Sequence, residues 1–571
     1  MTRFPMSTQR HMTTSSRPRA RWKVISPKTP STVEEVVPIL LENRNVDSSF
    51  LNGSIGDLET FLDTRGMKEG ATLMSRHLRR GNQIVLIGDY DCDGITSLAQ
   101  MALFLRDIGY SPYDVVIPQR SEGYGFPLRA LEEHPRAKLY VALDCGTSDA
   151  DVIEEARSRG ADVIVLDHHE VPGQGAAPAS VLINPKQPQC SSSFKQFASA
   201  GLTLLFLAQL RRVLPQAFPP PALNGKYLTL AALGTVADVV PLLNANRILV
   251  QGGLKCLNGR SFEPMNALMR QAGLWNRPAL YAGDLAYYLG PRINVAGRMD
   301  EPLLAYELLM SRSSREAAPL ARRLHELNAL RQKKEESILR SIATGLKARQ
   351  AAGRTLVLGD PSWPHGLVGI LASRLQRDLH YGPTVIFAID EKKGVAKGSA
   401  RSVPGVNIYE ALRECADVML KWGGHEQAAG MTIEAHRLEE FALRLEEVIQ
   451  AYPHHHFIPE KKVDAIIGMD LISPALLEAL EPLKPHGMGN PAPTFGIQGA
   501  SIHRARPFGQ EGHHLRLKLD GGLSAIFWRG SELFEHHSMN DGGPQDLAFQ
   551  VERDPFQGKP VLNLKDLGRL F

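Results

Sequence analysis

From residue 83 to residue 166 the chain alternates short apolar runs with amphipathic ones. Residues 84–88, 114–117, 139–143 and 161–166 read as strands. Residues 94–108 read as a helix with Leu98, Met101 and Leu105 on one face, and residues 149–159 as another, capped by Ser148 with Asp151 in its first turn. Such alternation predicts a parallel sheet covered on both faces. Sheets of this kind bind ligands beyond the carboxyl ends of their strands, and that is where the polar clusters fall: Asp89, Asp91 and Asp93 after the first strand, Asp144 after another, and Asp167, His168 and His169 after a third.

Gly88-Asp89-Tyr90-Asp91-Cys92-Asp93-Gly94 sets three carboxylates two residues apart. In an extended segment alternate side chains share a face, so these three repel unless a cation neutralises them. A solvated acidic turn is the plain alternative, weakened because an apolar strand leads straight into the segment. Leu166-Asp167-His168-His169 adds groups that are costly to desolvate and that jointly suit divalent transition metals. Asp144 in Leu143-Asp144-Cys145-Gly146, and Asp238 at the end of the apolar helical stretch 234–238, have helix capping as their alternative. Jointly, Asp91, Asp93, Asp144, His168, His169 and Asp238 supply ligands for two divalent ions, with mixed oxygen and nitrogen ligation favouring Mn2+ and Mg2+ as the abundant competitor. Paired ions of this type serve phosphoryl chemistry, so the expected reaction is metal-assisted hydrolysis of a phosphoester or phosphoanhydride.

The 571 residues predict about three to four domains. No apolar run reaches the ~18 residues that cross a bilayer. The first 23 residues carry Arg3, Arg10, Arg17, Arg19, Arg21 and Lys23 without an acid or an apolar core; the expectation is a basic disordered arm, not a secretory signal, with a transit peptide as the weaker reading. Cys92, Cys145, Cys190, Cys256 and Cys415 lack CxxC spacing, which points to a reduced, cytoplasmic protein without a zinc ribbon. A net charge of +4 permits nucleic-acid binding without demanding it.

Residues 314–352 read as a long connecting helix with Leu320, Leu324, Leu327 and Leu330 on its apolar face. A second α/β region follows to about residue 451, and His454-His455-His456 marks a solvated boundary. Residues 513–519, 524–528, 547–552 and 560–564 are short alternating runs between glycine-rich turns, the pattern of a small antiparallel barrel.

These clusters resemble motifs I to IV of the DHH phosphoesterase superfamily and, within it, the RecJ family of single-strand-specific 5′→3′ DNA exonucleases. Further strings carry the resemblance from about residue 20 to the C-terminus: Pro118-Gln119-Arg120 with Glu122-Gly123-Tyr124-Gly125, Gly290-Pro291-Arg292-Ile293-Asn294 with Ala296-Gly297-Arg298, Gly398-Ser399-Ala400-Arg401-Ser402, Gly423-Gly424-His425 with Ala428-Ala429-Gly430, and Gly487-Met488-Gly489-Asn490-Pro491. The resemblance implies an α/β fold: a parallel-sheet DHH domain (51–313) and a smaller α/β DHH-associated domain (353–452) joined by the long helix (314–352), then a C-terminal OB-fold β-barrel (460–571), with 1–50 as arm and lead-in. Two departures stand out: His486 replaces a more usual apolar aromatic, and Trp363-Pro364-His365-Gly366 exchanges two residues of the family string, which puts the role of His365 in doubt.

Residue by residue, the resemblance implies that Asp91, Asp93, Asp144, His168 and Asp238 bind metal, that Asp89 joins them or stands behind them, and that Asp167 orients His168. It gives His169 to the second ion or the scissile phosphate, and brings His425 to that phosphate. Ser399 and Arg401 would hold the strand's 5′-phosphate, the arginine by its planar fork. Arg120, Arg292 and Arg298 become candidate strand contacts with salt-bridge partnership as the alternative; Tyr124 stacks on a base or merely packs; Phe508, Phe527 or Trp528 stack in the OB-fold. The implied activity is release of 5′-mononucleotides from single-stranded DNA in recombination and repair, by a monomer working with a single-strand-binding protein and a helicase. Two other readings compete: a DHH enzyme for small substrates such as oligonucleotides, cyclic dinucleotides or pyrophosphate, which generally lacks the extra C-terminal domain, and a scaffold that grips single strands without cutting them.

Overall fold

The computed structural model of the chain describes residues 19–571 except 121, 174, 300, 350–352, 510–511, 541–542 and 555–556. Most of the expected arm (residues 1–18) therefore lies outside the described residues. The chain forms two compact units, the larger from Ile25–Asn328 with Asp464–Arg569 and the smaller built on Ala329–Val463.

Strands are numbered β1 to β19 along the chain. In the larger unit β2 (Ile84–Gly88), β3 (Tyr113–Val116), β4 (Leu139–Leu143), β5 (Asp162–Leu166) and β6 (Val181–Ile183) form a wholly parallel sheet in the order β3-β2-β4-β5-β6. Side-chain alternation splits the strands between two cores. Leu86, Val141, Leu143 and Leu166 meet the helices Met67–Arg80, Cys92–Asp107, Ser199–Arg212 and Lys226–Ala237, while Val85, Ile87, Val163 and Val165 meet Ile153 and Ala156 of the helix Ala150–Ser158. Ser148 does not cap that last helix: Asp149 is its cap residue, and the Asp149 carboxylate accepts from Phe126 N instead (2.8 Å).

The C-terminal strands of the same unit are β13 (Ala465–Ile466), β14 (Phe495–Ala500), β15 (Ile502–Phe508), β16 (His514–Leu519), β17 (Ser524–Phe527), β18 (Gln545–Arg553) and β19 (Pro560–Gly568). They pair in the order β13-β14-β18-β19-β17-β16-β15. This sheet is mixed rather than purely antiparallel, because β13 runs parallel to β14 and β17 parallel to β19. An early helix, Val33–Asn43, inserts Val36, Ile39 and Leu40 into the core of this sheet beside Phe495, Phe549 and Leu562. Arg44, just beyond it, pairs with Asp464 at 3.2 Å with both side chains buried. The segment before residue 51 is thus structural from residue 21 on.

In the smaller unit β7 (Leu356–Asp360), β8 (Thr384–Asp390), β9 (Val395–Arg401), β10 (Lys421–His425) and β11 (Ala428–Glu434) pair in the order β10-β11-β9-β8-β7. Within this unit β1 (Arg21–Val24) lies parallel to β12 (Glu460–Val463), so the end of the predicted basic arm is a strand. The connecting helix spans Ser314–Arg349. Leu324 and Leu327 are buried as expected, but Leu330 is 43% exposed. A 3.6-residue turn brings position 331 inward instead, and there the stripe turns polar: buried Glu335 accepts from Arg331 (3.3 Å) and from Arg374 (2.8 Å). All five cysteines are free. Among the described residues no helix is long and apolar enough to cross a membrane.

His486 sits in the turn before β14, where burial and then the positive charges of Arg44, Lys484 and Arg247 push its imidazole down to about 4 from 6.5. A folded pKa below the unfolded one means that the stability it contributes is intact above pH 6.5 and is lost as pH falls toward 4. We expect His486→Phe to flatten the fall in melting temperature between those limits, by the equivalent of at most roughly 3 kcal/mol; identical acid profiles for variant and parent would refute this.

Candidate functional site

Four separated segments deliver the clustered residues to the carboxyl edge of the parallel sheet. Beyond β2, the Asp91 Oδ1 accepts from Asp93 N (2.9 Å) and Gly94 N (3.1 Å), capping the helix Cys92–Asp107. Asn294 Oδ1 accepts from Cys92 N in the same turn (2.7 Å). Gly94 is required here, because a Cβ would lie 2.5 Å from Asp89 O and 2.6 Å from Asp89 N. Asp144 follows β4 in a left-handed conformation (φ +64°), a strained choice for a residue with a side chain. Asp238 ends the helix Lys226–Ala237.

Two residues that sequence reasoning did not single out complete the frame. The helix Ser199–Arg212 points its N-terminus at Asp93: Ser199 N donates to Oδ2 (2.6 Å) and Ala200 N to Oδ1 (2.8 Å). Ser199 Oγ donates to Asp144 Oδ1 (2.9 Å). Helix N-termini favour negative charge, so this end holds two carboxylates where their own repulsion would part them. Nothing in the string around Ser199 marks it, since a serine opening an apolar helix is an ordinary cap.

His168 Nε2 lies 3.4 Å from Asp144 Oδ1, 3.5 Å from Asp238 Oδ2 and 3.9 Å from Asp93 Oδ2. It has no hydrogen-bond partner among the described residues, nor does Asp89 Oδ1, and both are buried. Three triads keep their ligand atoms within 4.8 Å of one another: Asp89, Asp91 and Asp144; Asp93, His168 and Asp238; Asp144, His168 and His169. Burial, reinforced by neighbouring carboxylates, pushes Asp89, Asp144 and Asp238 well above the usual carboxylate range and Asp93 to about 7. Burial and then the charge of His169 push His168 down to about 3, leaving a neutral imidazole. Crowded carboxylates disfavouring their own charge, a neutral imidazole among them and unpartnered buried donor atoms fit divalent cations.

Asp167 orients His169, not His168. Its Oδ1 accepts from His169 Nδ1 (2.7 Å) and from His168 N (2.7 Å), and its Oδ2 from Thr147 N (3.1 Å). Burial alone would raise this carboxyl; the bond and charge of His169 outweigh it and hold it below the usual range. Reciprocally, His169 is raised to about 9 against its own burial. Tyr124 donates to Asp144 O (2.7 Å), and its ring meets His169 edge-on at 5.1 Å; it braces the site through its hydroxyl while 45% of its surface stays exposed. Arg120 lies over the Tyr90 ring (4.6 Å). Arg292 is turned inward, donating to Tyr288 O (2.6 Å) and toward His325 Nδ1 (3.1 Å). Arg298 ends the helix Gly290–Arg298, near Tyr90, whose hydroxyl burial and then the charge of Asp89 raise above its usual range despite Arg120 and Arg298.

In the smaller unit, strand register groups the remaining candidates. Arg401 on β9 faces Ala428 on β11, which faces His425 on β10; Ser399 faces Gly430, which faces Gly423. Ser399, Arg401 and His425 thus share one face of the sheet, separated only by glycine and alanine. Arg401 donates to Ser399 Oγ (2.8 Å) and Ala400 O (2.7 Å), and burial lowers its guanidinium, with no carboxylate among the described residues opposing. His425 ends an exposed edge strand. In the C-terminal sheet Phe508, His514 and Trp528 form an aromatic cluster with ring centroids 5.0–5.5 Å apart. Phe527 is core. Beside that cluster Arg504 faces Lys518 and Arg506 faces Arg516 across β15 and β16 on exposed positions. Like charges directly opposite destabilise a sheet unless a polyanion lies over them.

Residues 83–235 match the DHH family, N-terminal domain, residues 352–451 the DHHA1 domain and residues 463–566 the RecJ OB domain. The chain is 32% identical to a single-stranded-DNA-specific exonuclease RecJ of Bacillus subtilis over 96% of this chain and 71% of that one. It is 33% identical to that of Escherichia coli over 82% and 84%. Among solved structures, RecJ in complex with Mn2+ from Thermus thermophilus superimposes with a TM-score of 0.82 at 29% identity, covering 96% of this chain and 80% of that one. The corresponding Mg2+ complex gives 0.75 at 28% identity, covering 96% and 79%.

Unneutralised buried carboxylates oppose folding. Asp144→Asn is therefore expected to raise the melting temperature of the metal-free protein while shrinking the further rise that Mn2+ brings. A variant less stable without metal, or one stabilised by Mn2+ as strongly as the parent, would contradict the repulsion argument.

Proposed function

The chain belongs to the RecJ family of single-stranded-DNA-specific exonucleases, and we propose that it hydrolyses single-stranded DNA from the 5′ end to 5′-mononucleotides, in DNA recombination and repair. The observation that carries this reading is the convergence of Asp89, Asp91, Asp93, Asp144, His168 and Asp238 on one sheet edge, in triads whose ligand atoms lie within 4.8 Å of one another, with Asp89 Oδ1 and His168 Nε2 buried and without a hydrogen bond among the described residues. We assign two divalent ions, Mn2+ favoured over Mg2+, to the two triads that share no residue: Asp89, Asp91 and Asp144, and Asp93, His168 and Asp238. When bound, such ions lower the pKa of water and offset the charge that develops on the phosphate.

The chain's own groups do the rest. His169, held cationic by Asp167, presents a charged imidazole that favours the anionic phosphate. Tyr124 keeps that ring in place. Ser199 and the helix N-terminus fix Asp93 and Asp144, so that the ligands need not reorganise during turnover. Arg401 and Ser399 bind the strand's 5′-phosphate, and the small residues between them and His425 leave the face open for a sugar-phosphate. The aromatic cluster of Phe508, His514 and Trp528 offers stacking, and the paired cations of β15 and β16 follow the backbone. We assign 51–313 to the catalytic domain, 314–352 to the connecting helix, 353–452 to the end-binding domain and 460–571 to the strand-binding domain. A monomer in the cytoplasm, with a single-strand-binding protein and a helicase as partners, completes the proposal.

Single strands and duplexes labelled at the 5′ or 3′ end, offered with Mn2+, test it directly. Mononucleotides should appear from the 5′ end of single strands alone. Cleavage confined to dinucleotides or pyrophosphate would favour the small-substrate reading, and binding without cleavage the scaffold reading. Arg401→Ala should keep hydrolysis but lose most of the preference for 5′-phosphorylated over 5′-hydroxyl ends; an unchanged preference removes Arg401 from the end-binding role.

A further inference from the structure

The string Gly487-Met488-Gly489-Asn490 lies next to the strand-binding sheet in sequence, yet it packs against the segment that carries Asp238. Met488 O accepts from Leu242 N (2.7 Å). A Cβ on Gly489, whose φ is +72°, would lie 2.9 Å from Pro241 Cβ and 3.3 Å from Leu243. One on Gly487 would lie 2.7 Å from Leu242 Cδ1. The turn is flush with residues 241–243.

The segment it touches is under strain. Val239, directly after Asp238, has φ +62°. That region is costly for a β-branched side chain, and Val239 is 59% exposed, so its own packing does not compensate. A conformation of this kind persists only where neighbours impose it. Three groups do so. Asn490 is fully buried; its Nδ2 donates to Leu483 O (2.8 Å) and Pro485 O (2.9 Å), and its Oδ1 accepts from Arg44 Nε (2.9 Å). Arg247 carries its guanidinium into the interior and donates to Pro482 O (2.5 Å), Lys484 O (2.5 Å) and Phe50 O (2.9 Å). Asn246 Nδ2 donates to Pro241 O (3.0 Å) and Gln196 O (2.6 Å), which ties the Asp238 segment to the stretch that leads into Ser199.

We propose that the Gly487–Asn490 turn, locked by Arg44 and Arg247, is a positioning device for the metal centre: it holds the strained backbone at Val239 so that Asp238 stays in register with Asp93 and His168. The C-terminal part of the chain then sets the geometry of the ions as well as gripping DNA. Asn490 and Gly489 are positioning residues and touch neither ion nor strand. This inference rests on the reading of Asp238 as a metal ligand.

The test uses the full-length protein. Mn2+ affinity is measured by titration with detection of free Mn2+ by electron paramagnetic resonance. Oligonucleotide affinity is measured separately by fluorescence anisotropy in chelator, and kcat on single-stranded DNA. Gly489→Ala and Asn490→Ala are expected to weaken Mn2+ binding roughly ten-fold, the scale seen when groups behind a metal ligand are removed. They should lower kcat and leave oligonucleotide binding within about two-fold of the parent. Should Asn490→Ala fail to fold, Gly489→Ala decides the matter, because its added methyl acts only locally, on Pro241 and Leu243. Parental Mn2+ affinity in the folded variants, with Asp238→Ala deficient, overturns the positioning role alone. Parental affinity in Asp238→Ala overturns the ligand assignment and the inference with it. A loss of oligonucleotide binding with unchanged Mn2+ affinity would make the turn a strand contact and also overturn it.

Discussion

The mutual repulsion of buried carboxylates is the constraint around which the larger unit is organised. Asp89, Asp93 and Asp144 are almost wholly buried and Asp238 lies beside them. Asp91 raises the cost of ionising all four, and Asp93 that of Asp144 and Asp238. No well-packed core would choose such a grouping for stability. It persists because the fold commits hydrogen-bond donors to it: the backbone cap at Asp91, the helix N-terminus aimed at Asp93 and the Ser199 hydroxyl on Asp144. These bonds fix the positions of the side chains but do not cancel their charge, and divalent cations are the partners that would.

The parallel sheet makes that arrangement attainable. Neighbouring strands in register end at one edge, so residues far apart in the chain arrive within a few ångströms of one another. Gly88 pairs with Leu143, and Leu143 with Leu166; the residues that follow each are therefore neighbours. Asp238 comes from a helix end rather than a strand, and its position depends on a bent segment whose neighbours lie some 250 residues later in the chain. The least locally determined carboxylate of the cluster thus leans on the most distant contacts.

The smaller unit applies register to a different task. Antiparallel pairing sets Arg401, Ala428 and His425 in one row and Ser399, Gly430 and Gly423 in the next. The bulky polar groups stand at the sides and the floor between them is small. An arginine largely withdrawn from water, with no carboxylate beside it among the described residues, is suited to an anion supplied from outside.

Local chemistry made much of this legible from sequence. The polar residues at strand ends, the apolar alternation of the strands and the extent of the long helix are short-range properties, and β2 and β4 span the predicted residues. So was the set of converging acids, because charge at the end of a buried strand stands out wherever the chain goes next. The tertiary structure decided what depends on partners. It gave Asp167 to His169 rather than His168, because their backbone turn brings that Nδ1 to the carboxylate. It turned Arg292 inward, buried Phe527 and left Trp528 exposed, since alternation along β17 fixes only that adjacent residues differ in face. It supplied Ser199, Ala200 and Asn294, whose roles exist only once their helices dock, and it set the Gly487–Asn490 turn under Pro241. Sequence specifies which groups carry charge and how the nearby backbone bends; which groups answer them across space is set by packing, which no local pattern encodes.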